Sequence, residues 1–404
     1  IHVEALGTFA FLKEQISTGY FEKLIQTYLL DNQHGALVTI VPEPGRTARL
    51  DAELKEKLQA YKESLSREEI EKLVTDTKHL QEYQEEPSSQ EDLEKIPMLT
   101  REDISREIAP IYNEEMKIAD IPTVFHEIET NGIGYLDLMF DLSDVPEKDL
   151  PMVGLLQAVL GIIDTEHYEY GELFNEINRH TGGIGTSLEL YPDVTKVKEK
   201  EFRATFEIKA KALYGQIPFA IRMMKEILTA SKLDDEKRLK EILSMTKTRL
   251  QDRFLSAGHS AAALRAMSYK SPISKFKDTT NGIGYYQNIR EMEEHFEEKK
   301  EEITNGLKAL SELLFRKGNV MISYTASREG LAVLEEEIGS LKEALYPERM
   351  PESRCILHCE KKNEGFKTSS KVQFAAKAGN FIDAGEEYNG ALQILKVIMS
   401  YEYL

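Results

Sequence analysis

Near the middle of the chain, apolar and polar positions follow the order strand, helix, helix, strand, strand. A period of two over 135–142, 186–191 and 202–210 predicts three strands, because alternate side chains of a strand share one face of a sheet. Residues 151–163 are apolar on all sides, which favours a mostly buried helix, and 171–180 show the single apolar stripe of a covering helix. We therefore expect an α+β fold of two layers, in which helices cover one face of an antiparallel sheet. The expected core positions of the first strand are Leu136, Leu138, Phe140 and Leu142.

The residues after this block predict further elements of the same domain. Helices are expected over 215–230, over 234–267 as one long helix, and over 328–345, with a strand over 320–326. The run 291–302 contains seven glutamates. Such a run is interpreted as a hydrated helix face and not as a cation site, since blocks of like charge usually face water.

The first hundred residues have a different character. A helix is expected over 20–30 and a strand over 36–41, and these too few elements are interpreted as the tail of a preceding α/β domain, 1–46. Residues 47–96 then carry narrow apolar stripes of helical period, interrupted by Ser66 and, three residues later, Glu69, a capping box that starts a second helix. The pair predicts a helical hairpin. It is either an arm that joins two larger bodies or two ordinary surface helices, and its polar character favours the arm.

The pattern begins again near the carboxyl end. Residues 371–399 align without gaps on residues 135–163 at a constant offset of 236, so that a strand is expected over 372–376 and a helix over 391–399. The identities are few, but the matching order of strand and helix predicts a tandem duplication of one α/β unit. The second copy is expected to be cut short at Leu404.

Composition narrows the possible functions. A chain of 404 residues with 41% hydrophobic residues is expected to hold more than one domain. The formal net charge of −19 argues against nucleic-acid binding, which needs clustered cations; it fits an ordinary hydrated surface or, less directly, basic partners. Two cysteines exclude a disulfide framework, and no apolar run approaches the roughly 20 residues of a membrane-spanning helix.

Candidate chemistry is sparse. The chain contains no H-E-x-x-H, H-x-x-E-H or G-x-S-x-G motif and no Walker phosphate loop. Paired glycines occur within 131–135, 182–185 and 281–285, where turn formation is the expected explanation. Cys355, His358 and Cys359 are of residue types that zinc prefers, but no further ligand pair accompanies them and a strand would point the histidine away from the cysteines. A metal enzyme that uses these three residues is the remotest of the hypotheses.

Several stretches together resemble a known family. They are LLDNQHGALVTIVPEPG at 29–45, the hairpin that ends in IPMLTREDI, NGIGYLDLMFDLSDVP at 131–146 and SYEYL at 400–404. With the duplicated unit, they are similar to the pitrilysin/insulinase-like zinc metallopeptidases, and within these to the presequence-protease/falcilysin subfamily. The resemblance covers nearly the whole chain and rests on diffuse pattern, without a catalytic motif.

The resemblance implies an architecture and a division of labour. Members are built from four related α/β domains in two halves, which a helical hairpin joins around a peptide chamber. The first domain holds zinc through H-x-x-E-H and a later Glu, and the glutamate of the motif activates the metal-bound water. The matching segment here is Gly154-Leu155-Leu156-Gln157-Ala158, which has neither a ligand nor a base. An Arg and a Tyr of the fourth domain are expected beyond Leu404, so we assign no catalytic, cofactor-binding or metal residue to this chain.

These inferences give a domain plan and a function. The plan is a tail of a preceding domain at 1–46, a hairpin linker at 47–108, a complete but inactive metallopeptidase-like domain at 109–347 and the start of a second at 348–404. The leading hypothesis is a non-catalytic portion of a zinc-dependent peptidase that degrades oligopeptides, acting as chamber wall, peptide-binding surface and hinge. Zinc would be held by the full-length protein in a segment outside this chain.

The partners implied are the N-terminal catalytic half of the same polypeptide and peptide substrates, without nucleic acid or membrane. A bacterial cytoplasm is the expected location, and an organellar matrix is the other candidate. The alternative hypothesis is a stand-alone non-catalytic scaffold or interaction protein with the same duplicated fold.

Overall fold

The structure is a computed structural model that describes residues 5–105, 107, 110–193, 195–196, 200–348, 354–368 and 372–402. The chain divides into two compact units, Ile1–Glu107 and Ile108–Leu404. None of the helices within the described ranges combines the length and the apolar character that crossing a lipid bilayer would require.

The first unit consists of helices and extended chain. Its helices are α1 (Ala5–Gln15), α2 (Tyr20–Ile25, continued by a π turn over Gln26–Leu30), α3 (Arg46–Ser64), α4 (Arg67–Glu85) and α5 (Gln90–Glu94). The strand expected over 36–41 is wrong, because this stretch pairs with no strand among the described residues and Leu37 is 96% exposed. In an extended segment without a neighbouring strand, the backbone N–H and C=O groups can form hydrogen bonds only with water.

The predicted capping box is confirmed at the junction of α3 and α4. The Ser66 side chain accepts a hydrogen bond from the backbone N–H of Glu69 at 3.2 Å, and the Glu69 carboxylate accepts one from the backbone N–H of Ser66 at 2.8 Å. Both donors would otherwise lack a partner in the first turn, so this pair defines where α4 begins.

The second unit contains a six-stranded sheet in its described part. The strands are β1 (Glu114–Ile118), β2 (Ile121–Glu127), β3 (Ile133–Asp141), β4 (Ile184–Pro192), β5 (Phe202–Leu213) and β6 (Val320–Ala326). Their order across the sheet is β1-β2-β6-β3-β5-β4. All neighbouring pairs are antiparallel except β2 with β6, which is parallel. The predicted α+β class is confirmed, although one parallel pair interrupts the antiparallel pattern.

Helices of this unit cover one face of the sheet, although the last of them along the chain is largely exposed. They are α6 (Leu150–Val159), α7 (Tyr170–His180), α8 (Ile217–Thr229), α9 (Glu236–Ser256), α10 (Gly258–Ser268), α11 (Pro272–Asn281), α12 (Ile283–Glu294), α13 (Phe296–Leu314), α14 (Arg328–Ala344) and α15 (Ala391–Glu402). The four core positions predicted on the first strand are at most 1% exposed. They join Phe206, Ile208 and Tyr324 from the neighbouring strands in one apolar cluster, which is what stabilises a sheet against its covering helices.

Two predicted helices in the second unit need correction, and two of its strands were not predicted. The helix expected over 151–163 ends at Val159, because Gly161 adopts a left-handed φ of 86°. The single helix over 234–267 is two, α9 and α10, which meet at Ala257 with a non-helical ψ of 43°. The strands β1 and β2 were not predicted at all. β1 has 5 residues, and β2 carries a proline, Pro122, at its second position, which is uncommon within a strand.

Of the elements expected for a second copy of the repeat, the helix over 391–399 is present within α15. Residues 372–380 form no strand, since no described strand lies beside them, and Phe374 instead stacks near His259 at a ring separation of 5.9 Å. At the offset of 236, α6 would correspond to 386–395, whereas α15 spans Ala391–Glu402. Leu404, where the copy was expected to stop, lies outside the described residues.

Candidate functional site

Helix α6 occupies the place that the resemblance assigns to a metal-binding motif. Leu155 and Leu156 are fully buried in the core. Gly154 packs so closely that a Cβ there would lie 2.5 Å from the Thr280 carbonyl oxygen and 2.7 Å from the ring of Tyr285. Real Cβ contacts are essentially never so short, so any side chain at 154, a metal-ligating one included, would force α11 and α12 away from α6.

Gln157 attaches the same helix to strand β4. Its side-chain N–H donates to the Thr186 carbonyl oxygen at 3.4 Å, and the Thr186 hydroxyl donates to the Gln157 carbonyl oxygen at 3.1 Å. Where the motif of an active relative would have its glutamate, this chain therefore has a residue that positions a helix against a strand.

Beside this attachment, a groove of about 490 Å³ runs between β4 and the helices α9 to α11, and we call it the edge groove. Its floor is apolar, formed by Leu188, Leu190, Phe254, Leu264 and Phe276. The remaining lining residues are Gln157, Ser187, Arg253, Ala257, Ser260, Ala261, Lys277, Thr280, Asn281 and Gly282.

Strand β4 presents an unpaired edge to this region. It is the last strand in the sheet order and pairs only with β5 among the described strands. Two backbone hydrogen bonds, one at each end of the β4–β5 pair, define which groups of β4 bond to β5. They run from the N–H of Lys211 to the C=O of Gly183 and from the N–H of Asp193 to the C=O of Glu201. The backbone N–H and C=O groups of odd-numbered β4 residues therefore point towards β5. The alternation of an antiparallel ladder then directs the N–H and C=O groups of Thr186, Leu188 and Leu190 outward. Such an edge can pair with an additional extended chain.

The opposite face of the sheet carries a polar cluster that crosses three strands. Glu207 is completely buried there and accepts hydrogen bonds from the Tyr191 hydroxyl at 2.7 Å and the Thr205 hydroxyl at 2.6 Å. The Lys209 ammonium lies 2.9 Å from the Glu207 carboxylate, 3.0 Å from that of Glu189 and 3.7 Å from that of Asp137. Three carboxylates thus share one ammonium group.

The excess of negative charge around Lys209 changes the pKa of Asp137. Burial, together with the nearby charge of Glu207, raises the pKa of Asp137 to about 8. Burial also acts to raise the pKa of Glu207, but hydrogen bonds from Thr205 and Lys209 outweigh it and hold that pKa below its usual range. The alternating sequence pattern places Asp137 and Glu207 on the polar face of their strands. Their proximity depends on the register between β3 and β5, which the pattern does not show.

The three glycine pairs have different structural roles. Asn131 and Gly132 have φ of 53° and 80° and form the turn before β3, and Gly183 has φ of 121° in the loop before β4, so turn formation explains both pairs. The third pair is not a turn. Gly282 and Gly284 lie at the start of α12, where a Cβ would meet the Asp278 carboxylate at 2.6 Å.

That carboxylate caps the helix. Asp278 is 1% exposed and accepts hydrogen bonds from the backbone N–H groups of Ile283 at 3.1 Å and Gly284 at 3.3 Å. The Arg265 guanidinium lies 2.5 Å from Asp278 and also contacts Glu364 at 2.8 Å, so the ion pair connects α10, α11 and the segment 354–368. The Asp278 carboxylate accepts two backbone hydrogen bonds and pairs with one cation, so its hydrogen-bonding capacity is satisfied within the fold. This supports a structural role for Asp278.

The cysteine and histidine candidates are dispersed along an extended segment that is not a strand. The backbone N–H of Cys355 donates to the Ser143 carbonyl oxygen at 2.7 Å, and the His358 ring lies 3.0 Å from the Glu147 carboxylate. Burial raises the pKa of the Cys355 thiol to about 11, so the free thiol is protonated at neutral pH. The described part of the chain contains no cluster of three His, Cys, Asp or Glu side chains arranged to hold a metal ion.

The acidic run 291–302 is divided between α12 and α13 and is neutralised locally. Glu291 pairs with Lys299 at 2.5 Å, Glu293 with Lys247 at 2.6 Å and Glu297 with Lys240 at 2.8 Å. The interpretation as a helix surface is consistent with these contacts, because exposed pairs of this kind contribute little and serve solubility.

The covered sheet, the tightly packed α6 and the edge groove together define a mixed α/β domain of the peptidase-associated class. Residues 40–292 match the family model for the segment associated with M16 peptidases of subfamily C, and the chain belongs to this family.

Curated relatives agree with this assignment. The chain is 35% identical over 404 residues to Protein HypA of Clostridium perfringens, covering 100% of this chain and 41% of that protein. It is 24% identical over 397 residues to presequence protease 1, chloroplastic/mitochondrial, of Arabidopsis thaliana, covering 97% of this chain and 36% of that protein. The chain thus spans less than half the length of these two relatives, and its resemblance to presequence proteases is confirmed.

A solved structure described as a peptidase M16 inactive domain from Pseudomonas fluorescens overlaps with 62% of this chain and 54% of its own, at 14% identity and a TM-score of 0.40. A TM-score this low supports no inference about this chain's function.

Proposed function

We propose that this chain is a non-catalytic portion of a zinc-dependent peptidase that degrades oligopeptides, and that it binds extended peptide at the edge of β4. It contributes a wall of the peptide chamber and, through α3 and α4, the hinge between two halves. The observation that carries the proposal is the outward-facing backbone of Leu188 and Leu190 above the apolar edge groove. Main-chain pairing gives such an edge affinity for many sequences, as a degrading enzyme needs.

The proposal includes a division of the chain and its surroundings. The parts are the tail 1–46, the hairpin linker 47–108, the complete domain 109–347 and the start of a further domain from 348. The catalytic half of the same polypeptide is the partner, and it holds the zinc. The packing around Gly154 supports this division, because a metal ligand does not fit there. A bacterial cytoplasm, or otherwise an organellar matrix, is the proposed location.

The test is a backbone substitution at the free edge. Proline at position 188 removes an N–H group that faces outward and leaves the bonds to β5 intact, so Leu188→Pro is expected to weaken binding of a fluorescein-labelled extended peptide at least about tenfold, as judged by anisotropy. Leu188→Ala removes the side chain but keeps the N–H group, and serves as the matched control. Circular dichroism of both variants checks that the domain is folded.

Two results would contradict the proposal. If the two variants bind peptide equally well, pairing at β4 is not the mode of binding. If the unmodified chain alone cleaves a quenched peptide and a chelator stops it, the chain is not a non-catalytic portion.

A further inference from the structure

The edge groove differs in charge from the rest of the molecule. The chain has a formal net charge of −19, yet the charged residues among those that line the groove are Arg253 and Lys277, both cations. None of the described lining residues has a carboxylate side chain. A negatively charged protein that lines one groove with positive charge only is suited to bind an anion there.

Arg253 lacks an acidic partner in the groove. Its guanidinium donates to the Asn281 side-chain oxygen at 2.9 Å and also to the Asn281 backbone oxygen, and both acceptors are neutral. Partial burial lowers the pKa of Arg253, as expected where no carboxylate compensates for lost hydration. Its planar fork of N–H groups is the donor geometry that matches a carboxylate.

Helix termini of both signs meet at the groove. The first turn of α10 lines it through Ser260 and Ala261, while Ala257 follows the last residue of α9 and Asn281 is the last residue of α11. The partial charges of these termini oppose one another, so the positive charge of the groove comes from the two cationic side chains.

We propose that the edge groove binds the C-terminal carboxylate of a peptide, with Arg253 and Lys277 as the groups that contact it. The inference rests on the proposed function, since the rest of that peptide pairs with β4. The floor of Leu188, Phe254 and Phe276 favours an apolar side chain on the last peptide residue. The ligand class is therefore a peptide with an apolar C-terminal residue and a free carboxylate.

The experiment compares two peptides that differ only at the carboxyl end. One ends in leucine as the free acid, and the other is the same sequence as the C-terminal amide; both carry the fluorophore at the amino end. The full chain is expected to bind the free acid about tenfold more tightly by anisotropy, because one charge-assisted contact is replaced by a neutral one. Arg253→Gln and Lys277→Gln are each expected to reduce this ratio several-fold.

Lys237→Gln is the matched control. Lys237 lies on α9, as Arg253 does, and is exposed, but it does not line the groove. The substitution removes the same charge, so it should leave the preference for the free acid intact. If it reduces the preference as much as Arg253→Gln does, long-range attraction to the whole surface is responsible and the site is wrong.

Failure of this inference differs from failure of the proposed function. If the chain binds the acid and the amide equally, peptide binding stands and the carboxylate site is wrong. If it binds neither peptide, the proposed function fails. A third pair, an amidated peptide with an internal glutamate or glutamine, tests the other source of a carboxylate. A preference that follows the glutamate and not the free terminus overturns the assignment to the C-terminus.

Discussion

At the scale of single residues, Gly154 is a packing position, because two neighbouring helices approach α6 there. The sequence alone showed the lack of a ligand, but a missing ligand could in principle be restored by substitution. The structure shows that the volume is already filled by Thr280 and Tyr285. Because protein interiors are close-packed, the lack of a side chain at 154 and the close approach of α11 and α12 belong together.

We predict that Gly154→Ala destabilises the second unit by about 1–3 kcal/mol, since the added methyl group overlaps a backbone carbonyl and cannot be relieved by a side-chain rotation. Urea unfolding followed by circular dichroism measures the change. The control is Gly171→Ala. Gly171 is also helical, its Cβ would meet nothing within 4 Å, and its φ is not left-handed, so alanine there should be neutral or stabilising by up to about 1 kcal/mol. Equal effects at the two positions would show that α6 can move aside.

At the scale of secondary-structure elements, the register of three strands creates a property that no single strand has. Asp137 pairs across β3 and β5 with Lys209, and its diagonal neighbour on β5 is Glu207. Glu189 and Tyr191 on β4 complete the cluster around Glu207. A one-residue shift of register would separate these groups, so their coupling is a consequence of how the sheet is assembled.

We predict that this cluster makes the unit less stable as pH rises through neutrality. Because the pKa of Asp137 is raised in the folded chain to about 8, the folded chain holds a proton that the unfolded chain releases above about pH 4. The stabilisation is complete below the unfolded pKa of 3.8 and is lost progressively up to about pH 8. Glu207, whose pKa is lowered, acts oppositely and only in acid, where its protonation removes stability.

The measurement is the urea midpoint between about pH 5 and pH 9 for the unmodified chain and for Asp137→Asn. An amide side chain at this position cannot ionise, so the fall in stability towards about pH 8 should become shallower, and the variant should be the more stable protein there. Asp141→Asn, on the same strand and face, should keep the slope of the unmodified chain. Parallel profiles for all three proteins would contradict the role of Asp137.

At the scale of the whole molecule, the two units have different surfaces. The large apolar side chains of α3 and α4, such as Leu54, Tyr61 and Tyr83, are between 55% and 71% exposed, whereas the second unit has a continuous buried core. A helix face of this kind is favourable only when another surface covers it. This fits the proposal that the first unit serves as a hinge against a catalytic half.

We predict that the chain restores peptide cleavage when it is combined with a separate N-terminal half. The half used would be the portion of the Clostridium perfringens relative that precedes the region matched by this chain. Neither piece alone should cleave a quenched fluorescent peptide, the mixture should, and a chelator should abolish its activity. The chain with Leu188→Pro should restore less activity than the chain with Leu188→Ala. A mixture that cleaves no peptide, although the intact relative does, would contradict the chamber-wall role.

Much of the fold could be predicted from local pattern. Alternation along β3 and β5 specified which side chains enter the core, since a period of two relates neighbours in sequence directly to faces in space. The capping box at Ser66 was equally local. The failures were of a different kind. No described strand pairs with the segments 36–41 and 372–376, and a strand forms only when it is paired with a neighbouring strand.

The sequence by itself determined the family, the covered sheet and the absence of a metal-binding motif, because these depend on residue types and on short periods. Only the tertiary structure decided what lies at the place of that motif. It placed Tyr285 and Thr280 against Gly154 and Glu207 beside Asp137, and it brought the two cations of the edge groove to one apolar floor. These relations join residues that are far apart in the sequence. They follow from chain crossings and register, which depend on the packing of the whole unit and not on any local signal.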